Sequence, residues 1–210
     1  TRGVTASDAE ANVLGAVLGL LAAWLWTWPG LRLYHAYSCG QLLGKAWLNR
    51  GWSLWAAGQV AESAAAFTNA VERLPFSEDQ AVARFKLGDA CFQLRDYTNA
   101  LRNYGLVATQ FDALPQVRTN LVDQALYQSL RAHLALRDLD GADAVALRLV
   151  RDQPRSALTD RAVLLVAQSH AQAGQTEQAR ALLADFEKRF PQSPLAPEAG
   201  LAVARTFTQE

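Results

Sequence analysis

"KAWLNRGWSLWAAGQVAESAAAFTNAVERLP", residues 45 to 75, and "VARFKLGDACFQLRDYTNALRNYGLVATQF", residues 82 to 111, share one grammar. In each, a small residue (Gly51, Gly88) sits midway along a first helix, and a turn follows, at Gly58 in one and Arg95-Asp96 in the other. A small residue and then an aromatic four positions later, Ser63 and Phe67 or Ala100 and Tyr104, mark a second helix. Small residues let two antiparallel helices approach, and the aromatic fills the seam between them.

The same pattern returns in "ALYQSLRAHLALRDLDGADAVALRLVRDQP" (125 to 154) and "RAVLLVAQSHAQAGQTEQARALLADFEKRFP" (161 to 191). Matched small positions fall at Ser63, Ala100, Ala142 and Ala179, spaced by 37, 42 and 37 residues. A period of this length predicts an all-α helical-repeat array, because one helix pair cannot bury its apolar face alone and stacking neighbours can.

At these residues the chain resembles the tetratricopeptide repeat family. Trp47, Gly51, Phe67, Ala70 and Pro75 match its pattern in the first unit, and Leu87, Gly88, Ala100 and Tyr104 match it in the second. The third unit departs, with Leu130 at the small position and Ala146 where an aromatic is common, while the fourth keeps Ala167, Gly174, Ala179 and Pro191. The resemblance implies a solenoid over residues 44–210, with units at about 44–75, 81–115, 121–154 and 160–191. A helix over 197–208 would cap it, Pro197 suiting the first turn, where a missing N–H costs nothing. "FPQSPLAPEAGLAVA" (190 to 204) is also similar to the joint between repeats in periplasmic proteins of the Tol-Pal system and in the outer-membrane assembly lipoprotein.

Charge and tryptophan divide the chain into two regimes. All six tryptophans (Trp24, Trp26, Trp28, Trp47, Trp52, Trp55) fall within the first 55 residues, whereas only 6 Asp, Glu, Lys or Arg fall in residues 1–57 against 34 beyond. "VLGAVLGLLAAWLWTW" (13 to 28) lies inside an uncharged stretch from Ala11 to Leu31, long enough as a helix to span the roughly 30 Å hydrocarbon core. Trp24, Trp26 and Trp28 resemble an interfacial belt, and Gly15 and Gly19 form a G-x-x-x-G for close helix packing in lipid. The reading is a tail at 1–10, a transmembrane helix at 11–31 in contact with the bilayer, and a connecting segment at 32–43. The alternatives are a buried first helix, against which stands the lack of a polar stripe, and a cleaved signal sequence, against which stands its presence in the chain. Arg32, Lys45 and Arg50 follow the run and only Arg2 precedes it, which favours a cytoplasmic solenoid. The envelope likeness points instead to the periplasm of a bacterium, the side preferred here. The chain has no methionine, so the initiator was removed or the chain begins after it, and Thr1 permits removal.

No catalytic constellation is present. His35, His133 and His170 are scattered, and there is neither a phosphate-binding glycine loop nor a G-x-S-x-G. Cys39 and Cys91 lie far apart without a C-x-x-C, which argues against a zinc site, a redox motif or a structural disulfide, and the lipobox pattern fails at Cys39. Balanced charge, 20 basic and 20 acidic residues, removes the electrostatic case for nucleic acid. No enzyme activity, metal or cofactor is expected. In the resembled family the inner face of each first helix lines a groove, and carrying those positions over gives Trp52, Trp55, Phe85, Asp89, Phe92, Tyr127, Arg131, Arg161 and Gln168. Such an aromatic surface suits an apolar or amphipathic protein segment, with Arg131 or Arg161 fixing its orientation. It lacks the Lys/Asn/Arg cluster with which some relatives grip a C-terminal carboxylate. The expected role is a membrane-anchored scaffold bound to other subunits of a larger complex. The alternatives are a soluble periplasmic adaptor with residues 11–57 buried in an oligomer, and an accessory domain with a small-molecule site in the groove.

Overall fold

The computed structural model describes residues 38–208. The tail at 1–10, the expected membrane helix at 11–31 with Gly15, Gly19, Trp24, Trp26 and Trp28, and residues 32–37 lie outside the described residues. Among the described residues no helix is long and apolar enough to cross a membrane. The chain divides into two compact units, Thr1–Leu43 and Gly44–Glu210, and the second holds the repeats. Residues 38–43, within the segment expected to connect, are helical.

The first helix, α1 (38–56), pairs with α2 (Val60–Arg73). The next pair is α3 (Glu78–Gln93) with α4 (Tyr97–Thr109). After α5 (Pro115–Asn120) come α6 (Val122–Ala135) and α7 (Leu139–Asp152), then α8 (Thr159–Gln172) and α9 (Thr176–Leu183). A short α10 (Phe186–Arg189) leads to the terminal α11 (Ala196–Thr206), which carries Pro197 in its first turn.

Each pair is closed by one volume exchange. A Cβ added at Gly51 would stand 2.5 Å from the Phe67 ring, and one at Gly88 would stand 2.6 Å from the ring of Tyr104. Glycine is therefore what admits each aromatic, and both rings are fully buried. The weak third unit is the same device inverted. Leu130 and Ala146, both buried, occupy the corresponding positions, so the large side chain comes from the first helix instead of the second. Ala167 and Leu183 form the fourth version within the last core cluster.

The turn inside each pair is also constant. Gly58, Arg95, Arg137 and Gly174 all have left-handed φ, of 73°, 62°, 59° and 79°. In each the next residue's N–H donates back to the carbonyl five positions earlier: Gln59 to Leu54, Asp96 to Cys91, Asp138 to His133, and Gln175 to His170. This closure satisfies carbonyls that the first helix leaves free at its end.

Two local features depart from the simple period. The 42-residue spacing accommodates a 3-10 turn at Phe111–Ala113 and α5, which Pro115 opens and in which Phe111 and Val117 are buried. In the fourth unit the second helix breaks at Asp185, whose φ is 54°, giving α9 and α10 in place of one helix. The joints between later units share a serine. Ser156 Oγ donates to Asp123 at 2.7 Å, and Ser193 Oγ donates to Asp160 in the next unit at the same register.

Candidate functional site

The first helices of the four pairs, α1, α3, α6 and α8, carry all nine residues expected to line the groove, but the structure sorts them into different roles. Phe85 is only 5% exposed and packs at 5.7 Å from the Tyr104 ring, so it belongs mainly to the core. Trp52 is exposed on one side and meets Phe67 edge-on at 6.1 Å. Trp55 is half-buried beside it against the same apolar cluster.

Lys86 is the residue that sequence reasoning missed. Its ammonium lies 4.9 Å from the Trp52 ring, 5.8 Å from Trp55 and 5.1 Å from Phe85, and it donates to Asp89 Oδ2 at 2.7 Å. The other Asp89 oxygen accepts from the Tyr104 hydroxyl at 2.8 Å. Burial first, then the Asp89 carboxylate, hold that hydroxyl far above the ordinary phenol range, so it remains a donor. The first half of the surface is thus filled by its own cation. The only sequence signal was the i,i+3 spacing of Lys86 and Asp89 on one helix face.

The second half is more open. Arg131 lies 4.9 Å over the Phe92 ring and donates to Gln128 at 2.8 Å, and Phe92 meets Tyr97 at 5.2 Å. Tyr127, with Phe85, Asp123, Gln124, Gln128 and Leu158, lines a cleft of about 420 Å³ between α6 and the joint before α8. Arg161 is exposed at the start of α8. Gln168 is directed elsewhere, donating to Glu198 of α11 at 3.0 Å, and so staples the cap. Of the expected residues, Tyr127 and the edge of Phe85 therefore line the open cleft, with Asp123 and Gln124 added to them, while Arg131 and Arg161 are exposed on neighbouring helices.

The remaining polar chemistry serves the fold. His133 shares a 2.7 Å hydrogen bond with Asp138, and buried His170 joins Gln175 at 2.5 Å to Asp143 of the preceding unit at 2.9 Å. Cys91 is buried, and burial with the nearby Asp96 raises its thiol above the ordinary range, which disfavours the reactive thiolate. Among the described residues no group of three or more His, Cys, Asp or Glu side chains is placed to hold a metal ion.

Comparison with known proteins bears on this helix-pair geometry. Family models described as tetratricopeptide repeat match residues 48–116 and residues 161–193. Over those residues the chain matches tetratricopeptide repeats. Solved structures of a kinesin light chain candidate from Podosopora anserina, with nearly identical TPR-like repeats, and of a point variant of it share the fold. Each aligns with a TM-score of 0.60 at 16% identity, over 81% of this chain and 87% of the other. A search of curated protein sequences finds no match. The narrower likeness to Tol-Pal and outer-membrane assembly proteins gains no support from these comparisons. Tetratricopeptide repeats generally mediate binding to other proteins.

Proposed function

We propose that the chain is a non-catalytic scaffold of a bacterial membrane complex, anchored by residues 11–31 and docking a partner protein on the second half of its inner face. The observation that carries this reading is the contrast along that face. The Lys86 cage is self-satisfied, whereas Tyr127, Gln124 and Gln128 border an open cleft with Arg131 and Arg161 exposed on the same helix row. An aromatic beside guanidiniums is the composition that anchors protein segments. The anchor rests on the uncharged stretch from Ala11 to Leu31 and its tryptophans.

The solenoid is placed in the periplasm, with the cytoplasmic side the alternative that Arg32, Lys45 and Arg50 favour. Carbonate washing of native membranes, followed by gentle detergent extraction and native electrophoresis, tests both halves of the proposal. Retention through the wash and migration in a large complex support it. Release by carbonate would transfer the assignment to the soluble adaptor with residues 11–57 buried in an oligomer. Migration as a monomer after extraction would contradict the subunit role.

A further inference from the structure

The spacing of 37 residues between the third and fourth units recurs once more at α11. Ser156 on Asp123 returns as Ser193 on Asp160, and His170 beside Asp143 returns as Phe207 beside Arg180, whose guanidinium lies 4.6 Å from the ring. α11 is therefore the first helix of a fifth unit, docked on the fourth in the ordinary register. Glu198 accepts from Gln168 of α8, and Thr206 accepts from Arg180 of α9, so the docked side is secured.

The opposite side is bare. In α8, Leu164 and Ala167 are 4% and 1% exposed and share one apolar cluster with Leu183 of α9. Their counterparts on α11, Leu201 and Ala204, are both exposed, Leu201 by 51%, and among the described residues no second helix follows α11. Pro197, exposed as well, extends the same stripe by one turn. One flank of the stripe carries Gly200 and Phe207. Gly200 stands where α8 has Val163, an added Cβ there meets nothing within 4 Å, and a recess of about 270 Å³ opens beside it, lined by Leu183, Phe186 and Val203. Asp185 and Lys188 pair with each other at the rim of that recess, where Glu187 also stands. Phe207 is 62% exposed. The other flank carries Glu198 and Arg205, both exposed and of opposite charge.

We infer that this face pairs with its own copy, α11 against α11 of a second chain, antiparallel about a two-fold axis. Such an axis sets each flank beside the same flank of the other copy, with the residue order reversed. Centring the pair between Leu201 and Ala204 brings three matches into register at once. Leu201 lies on the other copy's Ala204, the leucine-and-alanine exchange that already closes α6 on α7 and α8 on α9. Phe207 reaches the other copy's Gly200 and the recess beside it, repeating the glycine-and-aromatic exchange of Gly51 with Phe67. Glu198 meets the other copy's Arg205. Each match occurs twice, because the axis relates the two copies. A following repeat helix would need only the apolar stripe, whereas opposite charges seven positions apart on one flank select a second copy in reversed order.

Sedimentation equilibrium of the full chain in mild detergent tests the pairing. The wild-type chain is expected to form dimers in the micromolar range, since one helix pair makes a small interface. Leu201→Glu should weaken association about tenfold or more while leaving the helical spectrum unchanged, because the side chain at 201 is exposed in the single chain. Arg205→Glu and Glu198→Lys should each weaken it about tenfold alone, by placing like charges opposite one another. An equimolar mixture of these two variants should regain the wild-type affinity, because the mixed pair restores both opposite-charge contacts. The inference is overturned by a chain that stays monomeric at every concentration, by a dimer that Leu201→Glu leaves intact, or by a mixture no tighter than its parts. Tyr127→Ala at the inner cleft should leave the dimer unchanged, so failure of the inner-face proposal and failure of this one give different results.

Discussion

Replacing Gly88 with alanine isolates the contact that sets the spacing of a helix pair. A methyl group there would lie 2.6 Å from Tyr104 Cε1 and 2.8 Å from Cδ1, well inside van der Waals contact. The ring cannot retreat freely, because Tyr104 is 1% exposed and its hydroxyl is held by Asp89 at 2.8 Å. Overpacking of this kind costs about 1–3 kcal/mol. Against it stands the helix-propensity gain of glycine to alanine, about 0.5–1 kcal/mol. Gly105 supplies the control, since it lies in the adjoining α4 and an added Cβ there meets nothing within 4 Å. Gly105→Ala should therefore stabilise by about 0.5–1 kcal/mol, and Gly88→Ala should destabilise by about 1–2 kcal/mol. In thermal unfolding followed by circular dichroism, the two variants should move in opposite directions, by about 2–4 °C per kcal/mol for a chain of this size. If Gly88→Ala proved as stable as Gly105→Ala, the steric account of the pair would be refuted.

Further expectations follow from the same packing. Phe67→Ala should cost about 3–5 kcal/mol, and adding Gly51→Leu should recover part of it by copying the Leu130 and Ala146 arrangement; urea unfolding of single and double variants measures the coupling. Lys86→Met should destabilise by about 1–3 kcal/mol by leaving the Asp89 carboxylate short of a partner, and Asp89→Asn in the same chain should reverse much of that loss. His170→Ala, which strips a buried ring from both Asp143 and Gln175, should cost about 2 kcal/mol and loosen the α7–α8 contact, as read by hydrogen exchange. Asp138 is held below the ordinary carboxylate range, first by the Gly141 N–H and then by His133. Its contribution is thus present above the ordinary aspartate range and fades as pH falls through that range to the lowered value. Asp138→Asn should flatten that part of the stability–pH curve, measured by denaturant titration from neutral to acid pH.

The repeat period and the seam residues were legible because volume and helical period constrain them jointly: Gly51, Phe67, Gly88 and Tyr104 sit where the grammar places them. The third unit looked weak because the grammar names residue types, whereas packing conserves the combined volume, which Leu130 and Ala146 supply in reverse. α5 escaped notice because six residues carry too little periodicity, although Pro115 marked its start. On the inner face, helical position alone could not separate core from surface. Phe85 turns inward because the neighbouring Tyr104 offers it apolar contact, and Gln168 is taken by Glu198, a partner thirty positions away. Lys86 was passed over because a lysine ordinarily points to water, whereas here its ammonium lies against the tryptophan rings of the preceding unit. The left-handed arginines were invisible for a related reason: glycine normally announces that conformation, and Arg95 and Arg137 adopt it without the usual sign.

The claim that a partner protein occupies the inner cleft is tested most directly by site-specific photocrosslinking in native membranes. A crosslinking residue at Gln124, on the cleft, is compared with one at Leu147, which is 64% exposed on the second helix of its pair. The account expects a discrete protein adduct from position 124 and none from position 147. Equal labelling from both, or no protein adduct from position 124, would contradict it.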